Sequence, residues 1–347
     1  MKSSNVIIWC LVITCLLLIG CTEEGYMIDW GNRDARAGNY ESAIKRYNEA
    51  LKINPRSAKA YYNRGLVWDY MNEMEKAIAD YTMALEIDKE CIDAYFNRGT
   101  ILSKKGNYDL AISDFTKALQ FNPDNLTRID LYFKRAYAWF KIEDYSRAID
   151  DYSEGIKIDP TKAEAYYSRA EAWYEKGNFD NAISDYTKAI QINPKYAQAV
   201  FNRANTWHEK REYASAIIDY EKAIELDPKK ALVYNNYSWL LSTCPDSRFR
   251  NGAKALKLAL KAGDLNPDEV VFVGTPAAAY AELGNFKEAI QTVEKAITLL
   301  KKNNNENLID NLKLVPQLES YKAGKPWRED VKREDWMREY KIKGKKE

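Results

Sequence analysis

The sequence predicts an all-α protein, a solenoid of stacked helix hairpins, over most of its 347 residues. Residues 163–196 read as two short amphipathic helices, with a Gly177-Asn178 turn between them and an Asn193-Pro194 stop after them. Related copies of this stretch fill residues 24–301 at a period close to 34 residues, which is the signature of a repeat architecture. Three places in every copy hold only small side chains, so the two helices of each hairpin can approach closely.

The first 20 residues are separate from the repeats. Lys2 gives a positively charged start, and residues 6–19 are almost wholly apolar. This run is shorter than the ~20 residues of a membrane-spanning helix and is typical of a secretory signal peptide. It ends in the tetrapeptide Leu-Ile-Gly-Cys at residues 18–21, which resembles a bacterial lipobox.

The lipobox resemblance implies that residues 1–20 are a lipoprotein signal peptide and that Cys21 carries acyl chains such as palmitate after cleavage. Residues 21–25 would then be a short lipidated tether, because several chains on one Cys hold a protein stably to a membrane. An uncleaved membrane anchor is the alternative. Thr22 after the Cys fits sorting to the outer membrane. The expected location is the bacterial cell envelope, on the outer membrane if the host has one, otherwise on the outer face of the cytoplasmic membrane.

Eight repeat units can be aligned in residues 24–301, and places within a unit are numbered from its first residue. The units begin near Glu24, Ala58, Ile92, Ile129, Ala163, Ala197, Ala231 and Val270. Their eighth, twentieth and twenty-seventh places hold only Gly, Ala or Ser. This pattern resembles the tetratricopeptide repeat family. The resemblance implies a right-handed superhelical solenoid of about eight helix pairs, with the first helices lining a concave groove.

Some units depart from the pattern. Glu143 and Arg211 stand where other units have a turn glycine, which predicts less tight turns there. Residues 242–252 lengthen the seventh unit, and residues 302–347 form a predicted helical C-terminal extension with a basic tail. The segments 242–252 and 321–328 resemble ones found at the C-terminal end of some bacterial proteins of this class. Their implied role is to cover the last apolar face, because a stack of repeats must end.

Several function classes are disfavoured by composition. The formal net charge is only +1, whereas nucleic-acid binding needs clustered positive charge. His208 is the single histidine, and Cys91 and Cys244 are too distant in sequence to suggest a metal or disulfide framework. Neither a Gly-rich phosphate loop nor a catalytic constellation is recognisable. We therefore predict no catalysis, no catalytic residues, no cofactor and no metal.

One correlation links two places of the repeat. Five middle units have Arg at the seventh place and Asp at the twenty-third, and the other three units have neither. The pairs are Arg64 with Asp80, Arg98 with Asp114, Arg135 with Asp151, Arg169 with Asp185, and Arg203 with Asp219. Because a guanidinium can engage a carboxylate at two points, we predict a repeated Arg–Asp contact, the Arg–Asp ladder. We favour a structural role for it over ligand binding.

The fifth and sixth places are the candidate peptide-binding groove. The sixth place holds Asn63, Asn97, Lys134, Ser168, Asn202 and Asn236. The fifth place holds Tyr62, Phe96, Phe133, Tyr167 and Phe201. A side-chain amide donates and accepts hydrogen bonds, so it can pair with an extended peptide backbone. The amides resemble the asparagine ladder of O-linked N-acetylglucosamine transferase, interrupted at Lys134 and Ser168. The alternative is that all these residues only pack at the groove edge.

The Lys–Asn arrangement with which the family clamps a C-terminal carboxylate is not seen, because aromatic side chains occupy most of the fifth places. The sequence therefore predicts a membrane-anchored scaffold that binds a protein or peptide partner in its groove. By analogy with other lipoproteins that carry such repeats, it would serve envelope assembly, secretion or pilus biogenesis. The alternative is a structural solenoid that self-associates as a homo-oligomer and has no peptide ligand.

Overall fold

The structure, a computed structural model, describes residues 22–267 and 271–328. Their regular secondary structure is entirely helical, which confirms the predicted fold class. The predicted signal peptide, Cys21, the start of the eighth unit at Val270 and the tail at 329–347 lie outside the described residues. The chain divides into two compact units, an N-terminal unit up to Pro160 and a C-terminal unit from Thr161.

The N-terminal unit consists of four consecutive helix hairpins. Its helices are α1 (Glu23–Arg36), α2 (Tyr40–Ile53), α3 (Ala58–Tyr70), α4 (Met74–Ile87), α5 (Ile92–Lys104), α6 (Tyr108–Gln120), α7 (Asn125–Lys141) and α8 (Tyr145–Ile158). Each odd-numbered helix packs against the next helix to form a hairpin, and successive hairpins stack on one another.

The C-terminal unit has four further hairpins and two additional helices. Its hairpin helices are α9 (Ala163–Glu175), α10 (Phe179–Ile192), α11 (Ala197–Glu209), α12 (Tyr213–Leu226), α13 (Ala231–Thr243), α14 (Gly252–Leu265), α15 (Val271–Glu282) and α16 (Phe286–Lys302). A short 3-10 helix, Ser247–Phe249, lies in the lengthened loop between α13 and α14. The extension adds α17 (Asn307–Asn311) and α18 (Leu314–Lys322).

Small residues at the eighth place are needed because an aromatic ring from the second helix of the hairpin lies against them. A methyl group added at Gly31 would lie 2.6 Å from the ring of Tyr47. At Gly65 it would lie 2.9 Å from the ring of Tyr81. These rings are at most 1% exposed, so they cannot move aside. The close approach of the two helices therefore excludes a larger side chain, as the repeat pattern predicted.

The turns inside the hairpins are alike whether or not they contain glycine. Gly177 has φ +81°, and Glu143 and Arg211 have φ 65° and 64° in the corresponding turns. The closing backbone bonds are also equivalent, since Asn178 N donates to Trp173 O at 2.9 Å and Asp144 N donates to Trp139 O at 3.0 Å. The prediction of less tight turns at Glu143 and Arg211 is wrong. The helix-ending geometry is kept, at the cost of a left-handed conformation at residues with a side chain.

The C-terminal extension covers the apolar face of the last hairpin. Leu314, Leu318 and Tyr321 of α18 pack in one cluster with Val293 and Leu300 of α16. Tyr321 and Leu300 are almost completely buried. Of the two segments to which the resemblance assigned this role, 321–328 contributes Tyr321 to the cluster, and Trp327 packs against it. Most of the cover comes from α18, which begins before that segment.

The lengthened loop and the end of the extension meet at one carboxylate. Glu282, the last residue of α15, accepts a hydrogen bond from Arg250 Nε at 3.0 Å and lies 2.6 Å from Arg328 Nη2. Arg250 also donates to the carbonyl of Cys244 at 2.9 Å, and Arg328 donates to the carbonyl of Ser242 at 3.2 Å. These contacts fasten residues 242–250 and Arg328 to the end of α15.

Within the described residues, none of the helices has both the length and the apolar character required to cross a bilayer.

Candidate functional site

The Arg–Asp ladder is a set of two-point contacts inside single hairpins. All five arginines donate through Nε to Oδ2 of the aspartate sixteen residues later, at 2.7–2.8 Å. Their Nη2 atoms donate to Oδ1 of the same aspartate, at 2.6–2.8 Å. The aspartate side chains are only 6–8% exposed. Each pair therefore joins the first helix of a hairpin to the second through an almost buried, charge-assisted fork.

A third bond from several of these arginines reaches the preceding hairpin. Arg98 Nη1 donates to Thr82 Oγ1 and Arg135 Nη1 to Thr116 Oγ1, each at 2.9 Å. Arg203 Nη1 donates to Thr187 Oγ1 at 2.9 Å. Sequence reasoning missed this partner, although the twenty-fifth place signals it. That place holds Asn48, Thr82, Thr116, Ser153 and Thr187 in the five units that precede an arginine.

Two units without the pair use other chemistry at the same places. In the first unit, the Arg46 guanidinium lies 4.9 Å from the ring centroid of Trp30. In the seventh unit, Tyr237 donates its hydroxyl to Glu221 Oε1 at 2.9 Å. Glu221 occupies the twenty-fifth place of the sixth unit, so the partner changes together with the residue that it binds. The contact of Arg46 with Trp30 lies within one hairpin, whereas the bond of Tyr237 to Glu221 joins two hairpins at the places that Arg and Thr occupy in other units.

The pairing of the ladder arginines and aspartates affects the pKa values of their side chains. The hydrogen bonds with Asp114 raise the pKa of Arg98, against the opposing effect of burial. Burial raises the pKa of Asp151, although its hydrogen bonds to Arg135 act in the other direction. The arrangement fits the predicted structural role, because the polar atoms of each pair are directed at each other.

The aromatic residues of the fifth place pack against the aromatic residue of the twenty-fourth place in their own hairpin. The ring centroids of Tyr62 and Tyr81 are 5.8 Å apart, and those of Phe96 and Phe115 are 6.5 Å apart. The equivalent distances at Phe133, Tyr167 and Phe201 are 6.1, 5.9 and 6.3 Å. One side of each ring thus contributes to hairpin packing. Burial raises the pKa of Tyr62 to about 12.

The sixth-place amides of the N-terminal unit bind the preceding hairpin with one N–H group. Asn63 Nδ2 donates to Asn32 Oδ1 at 3.0 Å, and Asn97 Nδ2 donates to the Tyr62 hydroxyl at 3.2 Å. Both asparagines are partly exposed. Their carbonyl oxygens have no hydrogen-bond donor within residues 22–267 and 271–328. These two side chains therefore keep an acceptor and a second N–H group for another molecule.

The corresponding amide of the C-terminal unit is engaged in a longer internal network. Asn202 Nδ2 donates to the Tyr167 hydroxyl at 3.0 Å, and Asn202 Oδ1 accepts from Gln198 Nε2 at 3.0 Å. Tyr167 donates to Glu171 Oε1 at 2.9 Å, and Lys230 donates to Gln198 Oε1. Ser168 at the same place in the fifth unit is partly exposed. The network leaves Asn202 less hydrogen-bonding capacity than Asn63 or Asn97.

Two of the predicted groove residues are not accessible. Asn236 is 1% exposed and Phe201 is 3% exposed, so the prediction that they line an open surface is wrong. Asn236 Nδ2 donates to Asn205 Oδ1 at 3.0 Å. The neighbouring Asn235 accepts from the Thr275 hydroxyl of α15 at 2.6 Å. Helix α15 packs against α13 next to this position, and the seventh unit has no open amide at its sixth place.

A cleft of about 500 Å³ opens between α5 and α7 in the N-terminal unit. It is lined by Thr100, Ser103, Lys104, Tyr108, Phe115, Asp130, Phe133, Lys134 and Tyr137. Two of these, Phe133 and Lys134, are fifth- and sixth-place residues. Lys134 Nζ lies 5.2 Å from the ring centroid of Phe96. The structure thus places an aromatic and a cationic groove candidate in one concave site.

The only histidine in the sequence, His208, is 4% exposed and packs edge-on against Tyr213, with ring centroids 5.9 Å apart. Cys244 is buried and Cys91 is partly exposed. Among the described residues, no group of three or more His, Cys, Asp or Glu side chains could hold a metal ion.

Models of one repeat family match most of the repeat region. A model described as TPR repeat matches residues 31–68 and 136–177. Models described as Tetratricopeptide repeat match residues 58–91, 92–125, 163–196, 197–230 and 277–303. Together these ranges cover more than half of the sequence. No curated protein sequence matches the chain.

Solved structures show similar folds. YrrB, described as a TPR protein with an unusual peptide-binding site, is 26% identical with a TM-score of 0.50, over 55% of this chain and 96% of YrrB. The C-terminal part of a TPR repeat-containing protein from Cytophaga hutchinsonii is 19% identical with a TM-score of 0.59, over 72% of this chain and 98% of that one. A tetratricopeptide repeat protein from Parabacteroides merdae is 18% identical with a TM-score of 0.51, over 74% of this chain and 98% of that one. The last two show the fold alone.

Proposed function

Because the chain belongs to the tetratricopeptide repeat family, we propose that it is a scaffold that binds a peptide segment of a partner protein. The binding face is formed by the fifth and sixth places of α3, α5 and α7 in the N-terminal unit. The scaffold is held to the bacterial cell envelope through an acylated Cys21. It serves envelope assembly, secretion or pilus biogenesis.

The observation that carries this proposal is the unused hydrogen-bonding capacity of Asn63 and Asn97. Each of these partly exposed amides spends one N–H group on the preceding hairpin. A carbonyl oxygen and a second N–H group remain, which are the two groups that an extended peptide backbone needs. Aromatic rings beside the amides, at Tyr62 and Phe96, supply apolar surface for peptide side chains.

Similarity to YrrB supports a peptide ligand, since that protein has a peptide-binding site. The envelope location rests on the sequence of residues 1–21 alone. It is tested separately by mass spectrometry of the N-terminus, where an unmodified Cys21 would contradict it.

The function is tested by a crosslinked pull-down from native membranes. The wild-type chain is compared with an Asn63→Ala/Asn97→Ala double variant and with an Asn202→Ala variant as the matched control from the C-terminal unit. We expect a peptide-bearing partner to be captured by the wild type and by the control, and lost by the double variant with unchanged helical content. Capture of the same partners by all three chains would contradict binding at this face. Capture of none would favour a self-associating solenoid, which light scattering would reveal as a concentration-dependent mass.

A further inference from the structure

One side of α1, formed by Tyr26, Trp30 and Arg33 and called here the outer face of α1, lies at the first end of the stack of hairpins. Tyr26 occupies the third place of its unit, and in the seven later units this place is at most 6% exposed. The residues there are Ala60, Ala94, Leu131, Ala165, Ala199, Val233 and Phe272. Ala60, for example, packs in one cluster with Ala50 of the preceding hairpin. Tyr26 is 37% exposed, since the described part of the chain has no hairpin before α1.

Trp30 and Arg33 continue this surface along the helix. Spacings of four and three residues bring them to the same side of α1 as Tyr26. Trp30 occupies the seventh place, from which ladder arginines reach the preceding hairpin, and is 39% exposed. Arg33 is exposed at the tenth place, which is almost completely buried in all later units. The outer face thus consists of positions that the repeat elsewhere uses for stacking.

The residue types on the outer face suit a boundary between water and an apolar phase. An end face in contact with water alone is expected to be polar, whereas one covered by another hairpin would be apolar. Tyr26 and Trp30 instead present two amphipathic rings, in edge contact with centroids 6.0 Å apart. Within residues 22–267 and 271–328, neither the Tyr26 hydroxyl nor the Trp30 indole N–H has a hydrogen-bond partner. Such rings concentrate at membrane–water interfaces, where the ring meets the apolar side and the polar group the headgroups.

The outer face begins within one helical turn of the residue that follows Cys21. Thr22 caps α1, because its side chain accepts a hydrogen bond from Gly25 N at 3.1 Å. The Thr22 carbonyl also accepts from Tyr26 N at 3.1 Å. Tyr26 is therefore held about 5.4 Å along the helix axis from Thr22, and Trp30 lies one turn further.

We propose that the outer face of α1 docks on the surface of the lipid bilayer, with Tyr26 and Trp30 among the phospholipid headgroups. This inference rests on the proposed acylation of Cys21, which would keep the two rings at the bilayer surface. The acyl chains tether the protein, and the docked face sets how the first hairpin is oriented on the membrane.

The charges around the rings define the kind of lipid surface. Glu23 and Asp29, three residues to either side of Tyr26, are exposed. They offset the positive charges of Arg33 and of Arg46, whose guanidinium lies over Trp30. The face has no positive excess, so docking depends on the aromatic rings and does not require anionic lipids.

The other end of the stack disfavours a second copy as the occupant. The apolar face of the last hairpin is covered by α18, so head-to-tail stacking of two chains would have to displace this helix. Two outer faces could still pair with each other, and the experiment has to distinguish this outcome from lipid contact.

Photocrosslinking tests the proposal with the protein purified from native membranes and reconstituted in phosphatidylcholine vesicles. Benzoylphenylalanine, a photoreactive aromatic residue, replaces Tyr26 or, in the matched control, Tyr137, which is an exposed tyrosine of the fourth hairpin. We expect mass spectrometry to find a phospholipid adduct at position 26 and only background at position 137. Addition of phosphatidylglycerol to the vesicles should leave the adduct at position 26 unchanged.

Substitutions beside the probe separate the aromatic contact from charge. Trp30→Ser should reduce the adduct at position 26 about tenfold, because burial of part of an aromatic side chain contributes a factor of this size. Trp30→Tyr should retain most of the adduct, and Arg33→Gln should change it little. Circular dichroism should show unchanged helical content in all three variants.

Equal adducts at positions 26 and 137 would overturn the proposal, and so would a link from position 26 to a second copy or to residues 1–20. An adduct that forms only after phosphatidylglycerol is added would overturn it as well, because charge would then be the cause. The anchor and the docked face can fail separately. Acylated Cys21 without a lipid adduct at position 26 would overturn the docking and leave the anchor in place. A lipid adduct from a chain with unmodified Cys21 would support the docking and contradict the anchor.

Discussion

The N-terminal and C-terminal units have the same four-hairpin plan but use the sixth place of the repeat differently. In the N-terminal unit this place gives two partly exposed amides, Asn63 and Asn97, and the cleft lysine Lys134. In the C-terminal unit, Asn202 is engaged in an internal network and Asn236 is buried. The interior places, by contrast, behave alike in both units, since Arg98 and Arg203 make the same three hydrogen bonds.

Residues at equivalent places of the repeat therefore make the same interior contacts more consistently than they share the same exposure to solvent. An interior contact depends on residues within one hairpin or its neighbour, which the period repeats. Accessibility depends on what covers the surface, and in the C-terminal unit part of the cover is α15, whose Thr275 contacts Asn235 beside Asn236.

The largest expected effect tests whether the ladder is equivalent in the two units. We expect Arg98→Met and Arg203→Met each to lower the free energy of unfolding by about 3–5 kcal/mol, because each leaves an almost buried aspartate without its partner. Urea denaturation of both variants measures this. Asp114→Ala added to Arg98→Met should recover part of the loss. A double-mutant cycle without coupling would show that the pair does not act as a unit.

A smaller effect should be confined to the C-terminal unit. Tyr321→Ala removes a ring that is 1% exposed from the cluster between α18 and α16, and should cost about 3 kcal/mol. Hydrogen exchange should show increased opening in α15 and α16 and unchanged protection in α1 to α8. Lys322→Ala, at an exposed neighbouring position, serves as the control and should change little. Uniform loss of protection along the whole chain would contradict a local covering role.

The sixth place itself can be compared directly. Asn236→Ala should lower the free energy of unfolding by about 2 kcal/mol, because it removes a buried hydrogen-bonding group. Asn97→Ala should cost about 0.5 kcal/mol, because water can replace its bond to Tyr62. Urea midpoints of the two variants give the difference. Equal costs would mean that burial of Asn236 has no energetic consequence.

The smallest effect concerns the turns that the units share. Glu143→Gly in the N-terminal unit and Arg211→Gly in the C-terminal unit should each stabilise the protein by about 0.5–1 kcal/mol, because glycine adopts a positive φ without steric cost. Gly177→Ala, at φ +81°, should destabilise by a similar amount. Thermal melting of all three variants checks these signs. Destabilisation by either glycine substitution would indicate that the replaced side chain makes a contact that outweighs the strain.

The features predictable from the sequence were those repeated at a fixed period. The helix hairpins and the pairing of Arg169 with Asp185 follow from residues that recur together, because each copy repeats the same contact. The third bond of the arginines also has a sequence signal, which is the polar residue at the twenty-fifth place. This signal becomes apparent only when the twenty-fifth place of one unit is compared with the seventh place of the next unit. The clearest example is the sixth unit, which has Glu221 at the twenty-fifth place where the next unit has Tyr237 instead of Arg at the seventh.

Features that depend on non-periodic segments could not be predicted. Asn236 is buried although it occupies the same place as the partly exposed Asn63 and Asn97, and the bond of the neighbouring Asn235 to Thr275 of α15 is one that no repeat position specifies. The turn at Arg211 was misjudged because the backbone bonds that end a helix outweigh a conformational cost of about 1 kcal/mol. The cleft at Lys134 also includes Lys104, thirty positions earlier in the chain. Lys104 is at the thirteenth place of the third unit, and this place holds Lys again in the fourth unit but Arg, Tyr, Glu or Thr in the others.

The bond from an arginine Nη1 to the twenty-fifth place of the preceding hairpin also determines where such a chain could gain a repeat by duplication or lose one by deletion. Loss of residues 92–125 would bring Thr82 of one hairpin opposite Arg135 of another, and the same bond could form again. The joint of Glu221 with Tyr237 has no equivalent elsewhere in the ladder, so an exchange there would separate two residues that suit only each other. We therefore expect the number of middle hairpins to vary among relatives, while the sixth and seventh hairpins are inherited together.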